Sequence, residues 1–321
     1  MSQCATNTAW RPVSRFGLVV IAVTVLALAA CASWADAAKV TQQTFPSPEE
    51  AVKALLDAAK MKDTKALLAI FGPAGKDLIS SGDKVADVRG RERFVQEYET
   101  THKLVSEGER KVILHVGKDD WPLPIPLVKQ GEVWRFDTKA GKQEILNRRI
   151  GRNELSAAQV CRAFVDAQRE YASQDRMGDG ILQYAHKFLS EQGKKDGLYW
   201  ATKEGEEPSP LGPLVVKAAK AGYTRKQAGD QPSPYFGYFY KILKAQGKNA
   251  PGGAYDYVVN GKMIGGFALV AYPAKYGNSG VMTFLVNQDG VVYQKNLGRK
   301  AEQIVKATES FDPDPTWTKV E

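Results

Sequence analysis

The chain has 321 residues, 43% of them hydrophobic, and three cysteines, Cys4, Cys31 and Cys161. That composition marks an ordinary globular protein able to fill real cores, and it excludes a disulfide-stapled scaffold; the length suits two domains. The formal net charge of +8 is spread in mixed-sign runs and not gathered in a tail, so the simplest reading of it is a charged, solvated surface.

Arg11 and Arg15 precede an uncharged apolar run from Phe16 to Ala30, followed by small residues. A run of about 15 residues is too short for a comfortable transmembrane helix and has the layout of a secretory signal peptide over residues 1–37. Two cleavage readings stay open. Leu28-Ala29-Ala30-Cys31 has the form of a bacterial lipobox, in which Cys31 is acylated and tethers the chain to a membrane; Ala35-Asp36-Ala37 fits ordinary signal peptidase. Both place the mature protein outside the cytosol: in the periplasm, anchored at the outer membrane, or extracellular. Both also leave Cys161 without an intrachain disulfide partner.

A first domain is expected over residues 44–139. Ser47-Pro48-Glu49-Glu50 opens a helix with a cap, a proline at the first position and acidic residues at the positive dipole end, and Val52, Leu55, Leu56 and Ala59 follow at helical spacing. Asp63 or Thr64 starts a second helix that Gly72-Pro73 stops, and a third runs from about Arg89 to His102. Lys111–Val116 reads as a strand. Pro122, Pro124 and Pro126 make Trp121–Leu127 an irregular edge, and Leu127–Val128 with Val133–Phe136 form a hairpin.

A second domain is expected over residues 140–321. From about Lys142 to Tyr171 an apolar stripe marks one long helix, with Gly151 as a place for a kink or interruption and Asn153 as a cap if the helix divides there. Residues 173–235 are rich in glycine and proline, with helical patches at Ile181–Ser190 and Leu214–Ala221. Strands are expected at Tyr235–Leu243, Phe267–Tyr272, Val281–Val286 and Val291–Lys295, the last two flanking an Asn287-Gln288-Asp289-Gly290 turn. Arg299–Phe311 reads as a closing helix. Helices ahead of antiparallel strands predict an α+β class.

The opening PEEAVKALLDAAKMKDTKALLAIF resembles nuclear-transport-factor-2-like domains, whose curved sheet wraps a pocket. The long helix with NELSAAQVCRAFVDAQREYAS and the later GVMTFLVNQDGVVYQ resemble the globular part of type IV pilins and pseudopilins, although here the helix begins in mid-chain without the pilin stalk. Taken together, FPSPEEAVKALLDAAK, VGKDDWPLPIPLVK, WRFDTKAGKQEILNRRIGRNELSAAQVCRA and APGGAYDYVVNGKMIGGFALVAYPAKYG resemble the domain-of-unknown-function-2950 family of exported bacterial proteins. That resemblance implies export and carries no reaction, ligand or catalytic residue.

No catalytic set, metal site or cofactor motif is recognisable. His102, His115 and His186 lack the i,i+4 spacing of a helical zinc site, and Cys161 falls on an apolar helix stripe, where packing is the better reading. Asp175-Arg176-Met177-Gly178-Asp179-Gly180 partly imitates a calcium loop, but Met177 and His186 occupy ligand positions, which favours a plain turn. Asp175, Asp179, Tyr255 and Asp256 are the ligand-binding candidates. Arg148, Arg149 and Arg152 form the densest basic patch; without interleaved aromatics it argues against nucleic acid, and Glu144 and Glu154 are expected to neutralise it. The leading expectation is a non-catalytic module that binds an envelope protein or a cell-surface polymer, with membrane contact only through a lipid anchor on Cys31. The alternative is a hydrolase of envelope polymer, its site in the first-domain pocket or among Asp179, His186, Tyr255 and Asp256.

Overall fold

The computed structural model describes residues 41–223 and 233–320; the leader read over residues 1–37 and its Cys31 lie outside them. Ser47 accepts the Glu50 N–H at 3.2 Å and caps α1 (Pro48–Lys60), which buries Val52, Leu55 and Ala59. Asp63 caps α2 (Thr64–Phe71), and Gly72, at φ 67°, ends it. A 3-10 turn and the short α3 (Lys76–Ile79) lead to α4 (Lys84–Thr100). This helix begins earlier than Arg89 because Asp83 Oδ1 accepts the N–H groups of Val85 and Ala86 at 3.1 and 3.0 Å.

Strands β1 (His102–Ser106), β2 (Lys111–Val116), β3 (Trp121–Pro122), β4 (Leu127–Gln130) and β5 (Val133–Phe136) follow. They form an antiparallel sheet in the order β1-β2-β4-β5, with β3 paired to β2. The proline run limits β3 to two residues, as expected of an edge. β1 is not foreseeable from its pattern: His-Lys-Leu-Val-Ser has no buried residue and is held by its pairing with β2, from His102 opposite Val116 to Ser106 opposite Val112. Val52, Leu55, Ile70, Leu114, Leu127 and Phe136 are the centre of the first core.

α5 (Thr138–Ala172) runs uninterrupted for 35 residues, about 52 Å. Asp137 Oδ1 accepts the Ala140 N–H at 3.3 Å, so the helix begins ahead of Lys142. Gly151 neither interrupts nor divides it. Residues on either side are tied down instead: Arg149 donates to the carbonyls of Asp77 and Leu78, and Asn153 Nδ2 donates to Ser279 O at 2.8 Å, so Asn153 is not a cap. At Gly141 a Cβ would lie 2.2 Å from Pro124 O; only glycine lets the start of the helix rest on the proline segment.

Beyond α5 come α6 (Gly212–Lys220), β6 (Tyr238–Leu243), β7 (Ala245–Gln246), β8 (Tyr255–Asp256), β9 (Val258–Val259) and β10 (Lys262–Met263). They are followed by β11 (Ala268–Pro273), β12 (Thr283–Asn287), β13 (Tyr293–Lys295), α7 (Ala301–Ala307), β14 (Ser310–Phe311) and β15 (Thr318–Lys319). The main sheet, β15-β13-β12-β11-β6, is antiparallel. β9 pairs with β10, and β14-β7-β8 form a small sheet in which β14 and β7 are parallel. β12 and nearly all of β11 are buried, since α5 packs on both strands and α7 also packs on β11. That is why they read as continuous apolar runs and do not alternate.

The second core gathers Ala157, Cys161, Phe164 and Val165 of α5 with Leu269, Val286 and Phe311. Cys161 is fully buried there; burial pushes its thiol up to about 12, so it stays protonated and packs as a small apolar group. Three expected elements differ. Ile181–Ser190 is not helical: Gln168 of α5 binds the backbone of Ala185 and Tyr184 bridges to Met263, which holds the segment extended. Tyr235–Phe236 precede β6, in a turn with positive φ at Phe236 and Gly237. Only Ala301–Ala307 of the closing segment is α-helical, and Ser310–Phe311 pair as a strand. The Asn287–Gly290 turn forms as expected, with the Gly290 N–H on Asn287 O at 3.0 Å. The class is mixed α+β, and the described residues from Thr41 onward form one compact unit around the two cores. Among them no helix is long and apolar enough to cross a membrane.

Candidate functional site

α4 has no fully buried residue, and only its Phe94 and Tyr98 pack, partly buried, against the first core. Beneath the helix lies a cavity of about 730 Å³, partly open to solvent and floored by Leu55, Leu67, Phe71, Leu123 and Ile145, with Phe94 of α4 also in its lining. That volume falls within the ~300–1,000 Å³ typical of small-molecule sites, which combine an apolar lining with a few placed polar groups. Ala221, Tyr223 and Phe236 close one end.

Arginines dominate the polar lining: Arg89, Arg91 and Arg93 from α4, and Arg149 and Arg152 from α5, against the carboxylates of Asp87 and Glu92. Both carboxylates are already engaged. Asp87 accepts the Ser81 N–H at 3.1 and 3.0 Å, and burial holds its carboxyl above the ordinary value despite the nearby charges of Arg149 and Arg91. Glu92 pairs with Lys62 at 2.8 Å. Arg149 donates to the Asp77 carbonyl at 2.7 Å, the Leu78 carbonyl at 2.6 Å and the Asn278 side chain.

The expected neutralisation of Arg148, Arg149 and Arg152 forms only in part. Glu144 does pair with Arg148 at 2.5 Å, and the Arg148 guanidinium stacks 4.5 Å over Trp121. Glu154 turns away, accepting the N–H groups of Val281 and Met282 at 2.9 and 3.0 Å. Arg152 is left facing other cations; desolvation first, then the charges of Arg93 and Arg148, lower its pKa from the ordinary value. Among the described residues, neither Arg93 nor Arg152 forms a side-chain hydrogen bond or ion pair. The sequence points to Arg149 and Arg152 and to a pocket in the first domain but not to this hollow, because its walls come from residues between Leu55 and Phe236. The available signal was a helix with arginines at i and i+4, Arg89 and Arg93, and no apolar face strong enough to bury.

Behind the cavity, Asp77 joins the two cores. Its carboxylate accepts Lys142 of α5 at 2.7 Å and Lys275, beyond β11, at 2.8 Å. Those hydrogen bonds, Lys142 first, lower its pKa to about 2. The folded value lies below the ordinary one, so the stabilisation is complete above about pH 4 and is lost as pH falls toward 2. With the side chain about one-third exposed, solvent screening leaves a contribution on the order of 1 kcal/mol. Asp77→Asn is expected to lower urea stability by that amount at pH 7, with the gap to wild type closing near pH 2.

The four residues expected from sequence fall into two pairs, and none lines the cavity. Asp175 and Asp179 share one turn. Asp175 accepts the N–H groups of Met177, Gly178 and Gly180, of which the Gly180 bond at 2.7 Å does most to lower its pKa. Asp179 accepts the Ile181 N–H and pairs with Lys262 at 2.9 Å. Tyr255 and Asp256 form β8; the Tyr255 hydroxyl accepts Gln288 Nε2 at 3.3 Å, and its ring packs on Tyr257. His186 is held below the ordinary imidazole value by burial and then by the charges of Lys244 and Lys187. No hydrogen bond links it to Asp179, Tyr255 or Asp256 among the described residues. No group of three or more His, Cys, Asp or Glu among them could hold a metal ion.

No curated protein and no solved structure matches the chain. A family model described as "Protein of unknown function (DUF2950)" matches residues 42–320, nearly the whole chain beyond its first segment, and the chain belongs to that family.

Proposed function

We propose that this protein is a non-catalytic binding module of the bacterial envelope, exported by its N-terminal leader, that takes a small, largely apolar molecule into the cavity under α4. The observation that carries this reading is the roughly 730 Å³ hollow with an apolar floor beneath a helix that has no fully buried residue. A helix in that position is normally held by its apolar face; here only Phe94 and Tyr98 of α4 pack, partly buried, against the first core. The hydrolase alternative has weaker support, since its carboxylates, tyrosine and histidine form no shared network. Arg11, Arg15 and the apolar run to Ala30 support export, and the Cys31 lipobox or release near Ala38 sets whether the module is anchored or free. The pilin-like order of a long helix before a meander is part of the same reading and concerns architecture alone.

The test uses purified mature protein and the neutral fluorophore N-phenyl-1-naphthylamine. Saturable binding at one site is expected. Ala86→Phe, which projects a ring from α4 into the hollow, is expected to weaken binding about tenfold or more without lowering the melting temperature. Absence of saturable binding, or binding indifferent to Ala86→Phe, would overturn the reading. The intact mass of the mature N-terminus, measured from fractionated cells, tests export; an uncleaved chain in the cytosol would refute it.

A further inference from the structure

We propose that the ligand of this cavity is a single-chain amphiphile with an anionic headgroup, its acyl chain among Leu55, Leu67, Phe71 and Phe94 and its oxyanion between Arg93 of α4 and Arg152 of α5. The inference rests on the binding reading above and names the chemistry of what is bound.

The two carboxylates in the cavity lining, and the two glutamates nearest in sequence on α5, all have other partners. Asp87 is bound to the Ser81 N–H, Glu92 to Lys62, Glu144 to Arg148, and Glu154 to the Val281 and Met282 N–H groups. Arg93 and Arg152 come from different helices and line the same cavity. Two guanidiniums in one cavity lining, neither with a side-chain hydrogen bond or ion pair among the described residues, offer a site for an anion from outside. Guanidinium groups suit carboxylate and phosphate oxygens through paired N–H donors. Arg91 adds a further donor: its Nε is buried and has no hydrogen-bond partner. A compact anion would use the arginines and leave the floor uncovered, and a neutral hydrocarbon would cover the floor and leave the arginines without an acceptor. An acyl chain ending in an oxyanion satisfies both parts of the lining.

Binding of cis-parinaric acid and of its methyl ester to the mature protein, followed by fluorescence, separates the two parts. The acid is expected to bind about tenfold more tightly or better, with the advantage shrinking as salt is raised. The double variant Arg93→Gln/Arg152→Gln, both exposed positions, is expected to bind acid and ester alike while keeping the ester affinity and melting temperature of wild type. Palmitate and hexadecyl phosphate are expected to displace the probe well ahead of hexadecanol, and the stronger of the two identifies the headgroup. Equal binding of acid and ester by wild type, a preference that survives the double variant, or hexadecanol competing as well as the anions would overturn the headgroup assignment and leave the cavity reading intact. Failure of both probes to bind would overturn the two together.

Discussion

Asp83→Ala is expected to lower the unfolding free energy by about 3–4 kcal/mol, the combined effect of a lost helix cap and stranded buried donors. The side chain is 1% exposed and both oxygens are used. Oδ1 caps α4 through the Val85 and Ala86 N–H groups. Oδ2 accepts the Tyr223 hydroxyl at 2.7 Å and the Gly237 N–H at 2.9 Å. Tyr223 in turn accepts the Phe236 N–H at 3.1 Å, and burial raises its phenol well above the ordinary value, so the hydroxyl remains a donor. One carboxylate therefore fixes the start of the helix that roofs the cavity and the two aromatics that close its end. Tyr223→Phe, which removes one member, is expected to cost about 1 kcal/mol, and the double variant to cost less than the sum because the bonds share one network. Urea denaturation of the three variants checks the energies. Weaker binding of the neutral fluorophore by Asp83→Ala at temperatures where it is still folded would show that the cap shapes the cavity.

Local chemistry was legible in the sequence; long-range hydrogen bonding was not. Ser47 with Pro48, and Asp63 ahead of Thr64, announce their helices because a cap is read from adjacent residues. The stripe from Leu146 to Tyr171 announces α5 for the same reason. Ile181–Ser190 misleads because its apolar spacing suits a helix while its backbone partners, Gln168 and Met263, lie far away in sequence. The arginine patch misleads in a parallel way. Glu144 and Arg148 are i,i+4 neighbours and do pair, so Glu154 near Arg152 suggested the same, yet its carboxylate is claimed by backbone at 281–282. Asp175, Asp179, Tyr255 and Asp256 stand out by local turn chemistry, and the turn takes both oxygens of Asp175 and one of Asp179. The hollow under α4 leaves only a faint local signature, an arginine-bearing helix without a strong apolar face.

Gln168→Leu is expected to cost about 3 kcal/mol through a different mechanism, with the cavity as bystander. Gln168 lies fully buried near the C-terminal end of α5. Its Nε2 donates to Ala185 O at 2.9 Å and its Oε1 accepts the Ala185 N–H at 2.8 Å, so the side-chain amide serves the extended segment as a neighbouring strand would. Leucine matches the volume closely, which keeps packing nearly constant and isolates the polar loss. Two buried backbone groups then go without partners, each worth about 1–3 kcal/mol. Gln168→Glu is expected to be as damaging at neutral pH, because a carboxylate can accept from the Ala185 N–H but faces the Ala185 carbonyl with no donor. Hydrogen exchange gives the sharper readout. The Ala185 amide should be protected in wild type and exchange by local opening in Gln168→Leu, ahead of global unfolding. Fluorophore binding under α4 should be unchanged, since neither residue lines that cavity. Protection of Ala185 that survives the substitution would mean that the Tyr184–Met263 bridge alone holds the segment.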